Sequence, residues 1–246
     1  MKKFILKIFM VFLFISGGVF SAETKGTIYV GTDAAEFQPF EYIENGEVVG
    51  FDIDLMKEIG KVLGRDVVVK NITFDGLLPA LQTGKLDVVI AGMTVTEERK
   101  KHVNFSEPYY TSKQYIIVQK ENKEIKNFET LLGHKIGVVL GCTGDVIATE
   151  LGNKIDLKRY TTTSENIIAL KAGKIDAVIL DSEPAKNFVK KNPELKLIDD
   201  NMAEEDYAIA VKKKDTELLK DINKALEVLK ENGTYDALMK KYFVQD

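Results

Sequence analysis

Two stretches of this chain nearly repeat one another. Leu81–Gly92 reads LQTGKLDVVIAG and Leu170–Asp181 reads LKAGKIDAVILD. Each is a helix end, a Gly-Lys turn, and an apolar strand that opens at an aspartate. Gly84 and Gly173 fit the position just past a helix C-terminus. The copies start 89 residues apart, too far for a solenoid period, so they predict two similar α/β lobes. In open α/β sheets, ligands sit beyond the C-terminal ends of the strands. The first copy places Gly92, Thr94 and Arg99 there, and the second places Asp181. One lobe offers a cation and the other an anion, a pair shaped for a zwitterion.

Arg99 is the unusual member. Leu86–Ala91 is short and apolar, as a buried strand should be. After Gly92 the chain restarts at Thr96-Glu97-Glu98, a hydroxyl cap followed by acids favoured by the helix dipole. A cation in that first turn opposes the dipole. With the free backbone N–H groups it makes an anion pocket, its guanidinium fork matching a carboxylate. Thr94 has a competing reading as a helix cap, since Thr94 and Glu97 also fit a capping box.

In chain order, Thr27–Val30 reads as a strand, and Asn45-Gly46 as a hairpin turn between Glu41–Ile43 and Val48-Val49. Asp52–Leu63 has helical spacing and closes at Gly64; Val67–Ile72 is a strand and Leu77–Thr83 a short helix. The strands Gln114–Gln119, Lys135–Leu140 and Leu195–Ile198 follow, with helices from Asp145 and over Glu165–Ala172. Tyr207–Lys212 is a last strand before an amphipathic helix over Asp215–Lys230 and a short helix over Tyr235–Phe243. Strand and helix alternate, which is α/β architecture.

Residues 1–22 carry three lysines, no acid, and a 13-residue apolar run at Ile8–Phe20. That is a secretory signal, too short to span a bilayer, cleaved after Ala22 or Ser21. Removing it takes the net charge from −4 to −7, which argues against a nucleic-acid partner. No cysteine lies near the cleavage site, so no lipid anchor is expected and the mature chain is expected free in a periplasm. Cys142 is the one cysteine, which leaves no internal disulfide and no cysteine-based metal site. The Gly141-Cys142-Thr143-Gly144 turn exposes backbone N–H groups but lacks a phosphate-loop signature.

Several motifs occur together and in order: GTDAAEFQPFEY, VGFDIDL, PALQTGKLDVVIAGMTVTEERKK, FSEPYY and ENGTYDALMKKYF. In that combination the mature chain resembles the solute-binding proteins of polar amino-acid ABC importers, the group of glutamine-, histidine- and lysine/arginine/ornithine-binding proteins. The resemblance implies a two-lobed periplasmic binding protein fold, its ligand cleft lying between two parallel-sheet lobes joined by two hinge strands. Crossings are expected near Tyr109–Ser112 and Ala203–Tyr207. Residues 23–111 then begin lobe 1, 112–207 form lobe 2, and 208–246 return to lobe 1.

The resemblance also assigns roles. Arg99 matches the grip on a ligand α-carboxylate, helped by Thr94 and by the Thr143-Gly144 turn. Asp181 matches the partner of the α-ammonium, with Gly92 beside it and Ala91 adjacent. Phe37 and Phe74 match aromatic clamps on the ligand side chain, positions otherwise ordinary for core aromatics. Asp33 matches a side-chain-sensing position. Two departures stand out: Leu140 where the glutamine binders have a lysine, and Glu36 as an extra residue before Phe37.

The expected function is binding of one L-amino acid and its delivery to an inner-membrane ABC permease. A monomer is expected, with no cofactor, no metal and no catalytic residue. Asp33 and Glu36 beside two aromatics suggest a basic ligand, arginine or lysine; a neutral one such as glutamine or cystine is the alternative. A dehydratase of the same fold acting on prephenate-like acids is the enzyme alternative, with Glu36 or Glu183 as its acid.

Overall fold

The computed structural model describes residues 26–35, 37–200, 202 and 204–243. The expected signal segment, Glu36 and Ala203 lie outside the described residues. The first lobe opens with β1 (Thr27–Thr32), the hairpin β2 (Tyr42–Glu44) and β3 (Glu47–Val49), then α1 (Phe51–Leu63) and β4 (Asp66–Asn71). It continues through α2 (Phe74–Gln82), β5 (Val88–Val89), α3 (Glu97–His102) and β6 (Val103–Phe105). Asn45 and Gly46 both have positive φ, 52° and 84°, as the expected hairpin turn requires. Gly64 ends α1 in the left-handed conformation, which an L side chain adopts only with strain.

The chain then crosses on β7 (Tyr110–Ser112) into β8 (Gln114–Gln119), β9 (Lys135–Val139) and α4 (Thr143–Glu150). Next come β10 (Asp156–Tyr160), α5 (Thr163–Lys171), β11 (Ala177–Asp181), α6 (Ser182–Lys191) and β12 (Leu195–Ile198). It returns on β13 (Glu205–Tyr207), which pairs antiparallel with β7. β14 (Ala210–Lys212), α7 (Thr216–Glu231) and α8 (Thr234–Phe243) follow.

Two five-stranded sheets result, ordered β4-β1-β5-β14-β6 and β10-β9-β11-β8-β12. They are mixed, where the sequence predicts parallel sheets. β14 runs antiparallel to both its neighbours, and so does β8. The reason is topological. Each of these strands enters its sheet directly from a crossing, so it starts at the cleft end and runs back against the others. Gln114 at the start of β8 accordingly pairs with Asp181 at the end of β11.

Three further corrections have local causes. The strand expected over Leu86–Ala91 is paired only at Val88–Val89, because the chain then turns through Gly92 at φ 49°. β10 carries DLKRY, too polar to read as a strand, and sits at a sheet edge where one side needs no partner. α6 has few apolar residues and carries Pro184 in its first turn, so its sequence does not read as a helix although its apolar residues fall on one face.

The first lobe's core joins the β1 residues Ile28 and Val30 to Leu55, Met56 and Ile59 of α1 and to Ile222, Leu226 and Leu229 of α7. The C-terminal helices thus pack on the first sheet. The second lobe buries clusters around Ile117, Leu170 and Leu180, and around Ile136, Val138 and Ile179. Near the crossings, Phe40 is fully buried with its ring 5.2 Å from Tyr207 and 4.8 Å from Tyr110.

Gly50 ties the hairpin to α1 at φ 132°, and an added Cβ would lie 2.1 Å from the carbonyl oxygen of Phe40. That atom is backbone and cannot swing aside. Gly50→Ala is therefore expected to cost about 2–4 kcal/mol of stability. Gly64→Ala, where a Cβ meets nothing within 4 Å, should cost about 1 kcal/mol. Denaturant unfolding of both variants checks this; equal losses would mean that the collision at Gly50 is relieved elsewhere.

Candidate functional site

The strand ends of the two sheets face one another across a narrow cleft. Seven of the sequence-predicted residues line it: Asp33, Phe37, Phe74, Ala91, Gly92, Thr143 and Asp181. Thr94, Arg99 and Gly144 stand at its margin rather than on the lining. No lining residue is a lysine or arginine.

Arg99 starts in the first turn of α3 and leaves it. Thr96 caps the helix, its hydroxyl accepting the Arg99 N–H at 3.1 Å, which leaves Thr94 free for another role. The buried guanidinium donates to the Thr94 carbonyl at 2.7 Å and to the Gly141 carbonyl, on the other lobe, at 2.9 Å. Its central carbon lies 5.2 Å from the Phe74 ring centroid, a cation–π distance. Burial pulls its pKa below the usual arginine value.

The Thr94 hydroxyl accepts from Thr143 of the second lobe at 3.0 Å and donates to Glu205 at 3.2 Å. Gln114 donates its side-chain amide to both Glu205, at 3.1 Å, and Asp181, at 2.9 Å. Tyr207 completes the set by donating its hydroxyl to Asp181 at 2.7 Å. Arg99, Thr94, Glu205, Gln114 and Asp181 thus form one hydrogen-bonded chain that runs from lobe to lobe through the crossing strands. Gly144 is tightly packed: a Cβ would approach the side chain and the carbonyl oxygen of Ile179 to 3.1 Å.

Phe37 and Phe74 both line the cleft. Phe37 packs against the apolar clusters of both lobes, so its ring bridges the cleft. A Cβ on Gly92 would stand 2.4 Å from that ring. Asp33 is held from behind: its carboxylate accepts the N–H of Ala35 at 3.2 Å and of Phe74 at 3.0 Å. Cys142 lines the cleft rather than the core, and burial pushes its thiol well above the usual value. Leu140 is part-exposed and does not line the cleft.

Sequence reasoning missed Glu41, Asp52, Gln114, Glu205, Tyr207 and the cleft-lining Thr162 and Thr163. Thr162 carries a readable signal, since it opens a capping box with Glu165 at the cleft end of α5. Glu41 reads as a hairpin residue and Asp52 as an ordinary first-turn acid, so neither announces its burial. Among the described residues no group of His, Cys, Asp and Glu is arranged to hold a metal ion.

Buried carboxyls dominate the electrostatics. Burial raises Asp33 and Asp52 to about 6 and Asp181 to about 7, with Glu205 as the nearest charge adding to the Asp181 shift. Folded values above the unfolded one mean that the native state holds extra protons between about pH 4 and pH 7. The ligand-free protein should therefore be most stable on the acid side of that window and lose stability as pH rises through 6 to 7. Exposed pairs such as Asp54–Lys241 act in the opposite sense but are screened. Denaturant titration of stripped protein at about pH 5 and about pH 8 checks the sign; greater stability at the higher pH would contradict it.

Comparison with known proteins places this geometry. The profile of the bacterial extracellular solute-binding proteins, family 3, matches residues 28–245. A probable histidine-binding protein of Campylobacter jejuni is 36% identical over 223 residues, 90% of this chain and 86% of that protein. Two ligand-bound structures of an ancestral arginine-binding protein are similar to this chain. Bound to arginine, it is 47% identical over 90% of this chain and all of that one, with a TM-score of 0.86. Bound to glutamine, it is 48% identical over 90% of this chain and 99% of that one, again at 0.86. The chain belongs to the bacterial extracellular solute-binding proteins, family 3.

Proposed function

We propose that the chain binds one L-amino acid with a cationic side chain, arginine or lysine, and delivers it to the permease of an ABC importer. The observation that carries this reading is the arrangement of charge. Arg99 stands on one lobe, Asp181 on the other, and further carboxyls without a lining cation surround the remaining space. In the open form the ligand settles on the first lobe, its α-carboxylate on Arg99 and Thr94. Hinge bending at β7 and β13 then brings up Asp181 and the N-terminus of α4 at Thr143-Gly144. Closure excludes water, so each charge-assisted bond strengthens. Phe37 and Phe74 hold the stem of the side chain, and Asp33 and Glu41 face its end.

A neutral polar ligand is the second reading, supported by the similar ancestral protein that was solved with glutamine. Of the two acids that a dehydratase reading offers, Glu183 is ion-paired with Lys186 at 2.6 Å and does not line the cleft, and Glu36 lies outside the described residues. Calorimetric titration of mature protein, refolded to strip carried-over ligand, against the standard amino acids plus ornithine and cystine tests the proposal. Tight binding of arginine or lysine, weakened in Asp33→Asn, is expected. Selective binding of a neutral amino acid would overturn the cationic assignment, and silence across the panel would overturn the receptor reading.

A further inference from the structure

Two oxygens beneath the cleft, Oε2 of Glu41 and Oδ1 of Asp52, are fully enclosed, and no N–H or hydroxyl donor reaches either. The backbone sets the two carboxyls beside one another, since the Asp52 N–H donates to the carbonyl of Phe40 at 3.0 Å, and each shifts the titration of the other. Two ionised carboxylates so placed repel; a single proton shared by the pair gives their enclosed oxygens a hydrogen-bond donor. The position of that proton follows from the rest of the geometry. Asp52 Oδ2 accepts the Gly92 N–H at 2.8 Å and the Tyr109 hydroxyl at 2.8 Å, fixed donors that favour its charged form. Glu41 has no such support and holds the proton. Burial first, then Asp52, Asp33 and Asp181, push its carboxyl well above the usual range.

Glu41 also lines the cleft, while Asp52 lies behind it and fixes the backbone of Gly92. The other titratable groups facing the pair are Asp33 on the same lobe, Asp181 across the cleft, Tyr109 beneath it and Cys142 from the second lobe. None of them is a cation.

We propose that Glu41 and Asp52 form a one-proton carboxyl pair that sets side-chain selectivity, keeping its proton beside an uncharged guest and surrendering it when the guest brings a cation. The inference rests on the amino-acid-receptor reading and adds a coupling that the reading does not require. In the exchange the O–H bond of Glu41 breaks, its proton passes to the bulk buffer, and the guanidinium of the guest takes over the neutralisation of the pair. Asp52 keeps Gly92 and Tyr109 throughout.

Calorimetry with L-arginine near pH 7, in buffers of different ionisation enthalpy, counts the protons released. Wild-type protein should release about one proton more per arginine than Glu41→Gln, and Asp33→Asn should keep that excess. Comparison between variants removes the contribution of Asp181, which every α-ammonium engages. A second readout needs no substitution: the carboxyl carbon resonance of Glu41 should move from its protonated to its ionised position when wild-type protein is saturated with arginine. Arginine binding with equal release in wild type and Glu41→Gln, or with an unmoved Glu41 resonance, overturns this inference and leaves the receptor reading standing. Absence of arginine binding overturns the cationic reading, and this inference with it.

Discussion

Arg99→Ala is expected to abolish amino-acid binding detectable by calorimetry while the protein still folds. The guanidinium is the one arginine at the cleft and is placed between the lobes, bonded to Thr94 on one side and Gly141 on the other. Removing one partner of a buried ion pair costs about 3–5 kcal/mol, because the remaining charge stays desolvated and unpaired. That is a loss of roughly a hundred- to several-thousand-fold in affinity. The two carbonyls that Arg99 serves can turn to water in the open form, so the unfolding transition should survive. Arg99→Lys should bind weakly as well, since an ammonium cannot form the two parallel bonds of a fork. Affinity within tenfold of wild type in Arg99→Ala would remove the carboxylate grip from the account.

Asp181→Asn should weaken binding about a hundredfold and also reduce its pH dependence. The amide is isosteric, and its oxygen can still accept from Gln114 and Tyr207, so the loss reports charge alone. In wild-type protein Asp181 titrates at about 7 before ligand arrives, and only its ionised form pairs with an α-ammonium. Affinity should therefore fall as pH drops below about 7, and fall less steeply in the asparagine variant, which keeps only the contributions of Glu41 and Asp33. Titrations of both proteins at several pH values check this. A parallel decline in the two would place the titrating group elsewhere.

Much of this site was legible in the sequence because chemistry and topology coincided. Arg99 and Asp181 follow two nearly identical strand segments, and the strand ends of an α/β sheet are where ligands bind. The hairpin at Asn45-Gly46 and the helix ending at Gly64 were readable because backbone sterics at those residues leave few alternatives. Glu41 and Asp52 were not readable. Their burial depends on Gly92 and Tyr109 arriving from elsewhere, and no local pattern distinguishes a buried acid from a surface one. Gln114 opens β8 just after one crossing and Glu205 opens the other, so their meeting is set by the return of the chain. The reversed direction of β8 and β14 was hidden for the same reason: strand direction comes from where the crossing enters, and apolar periodicity is blind to it.

The central claim is that a single amino acid lies between the lobes with its two backbone charges divided between them. A crystal structure of the mature protein saturated with L-arginine tests it most directly. The account predicts the α-carboxylate on Arg99, the α-ammonium on Asp181, and the guanidinium between Phe37 and Phe74 facing Asp33 and Glu41. An arginine bound with its carboxylate away from Arg99, or outside the cleft, would contradict it.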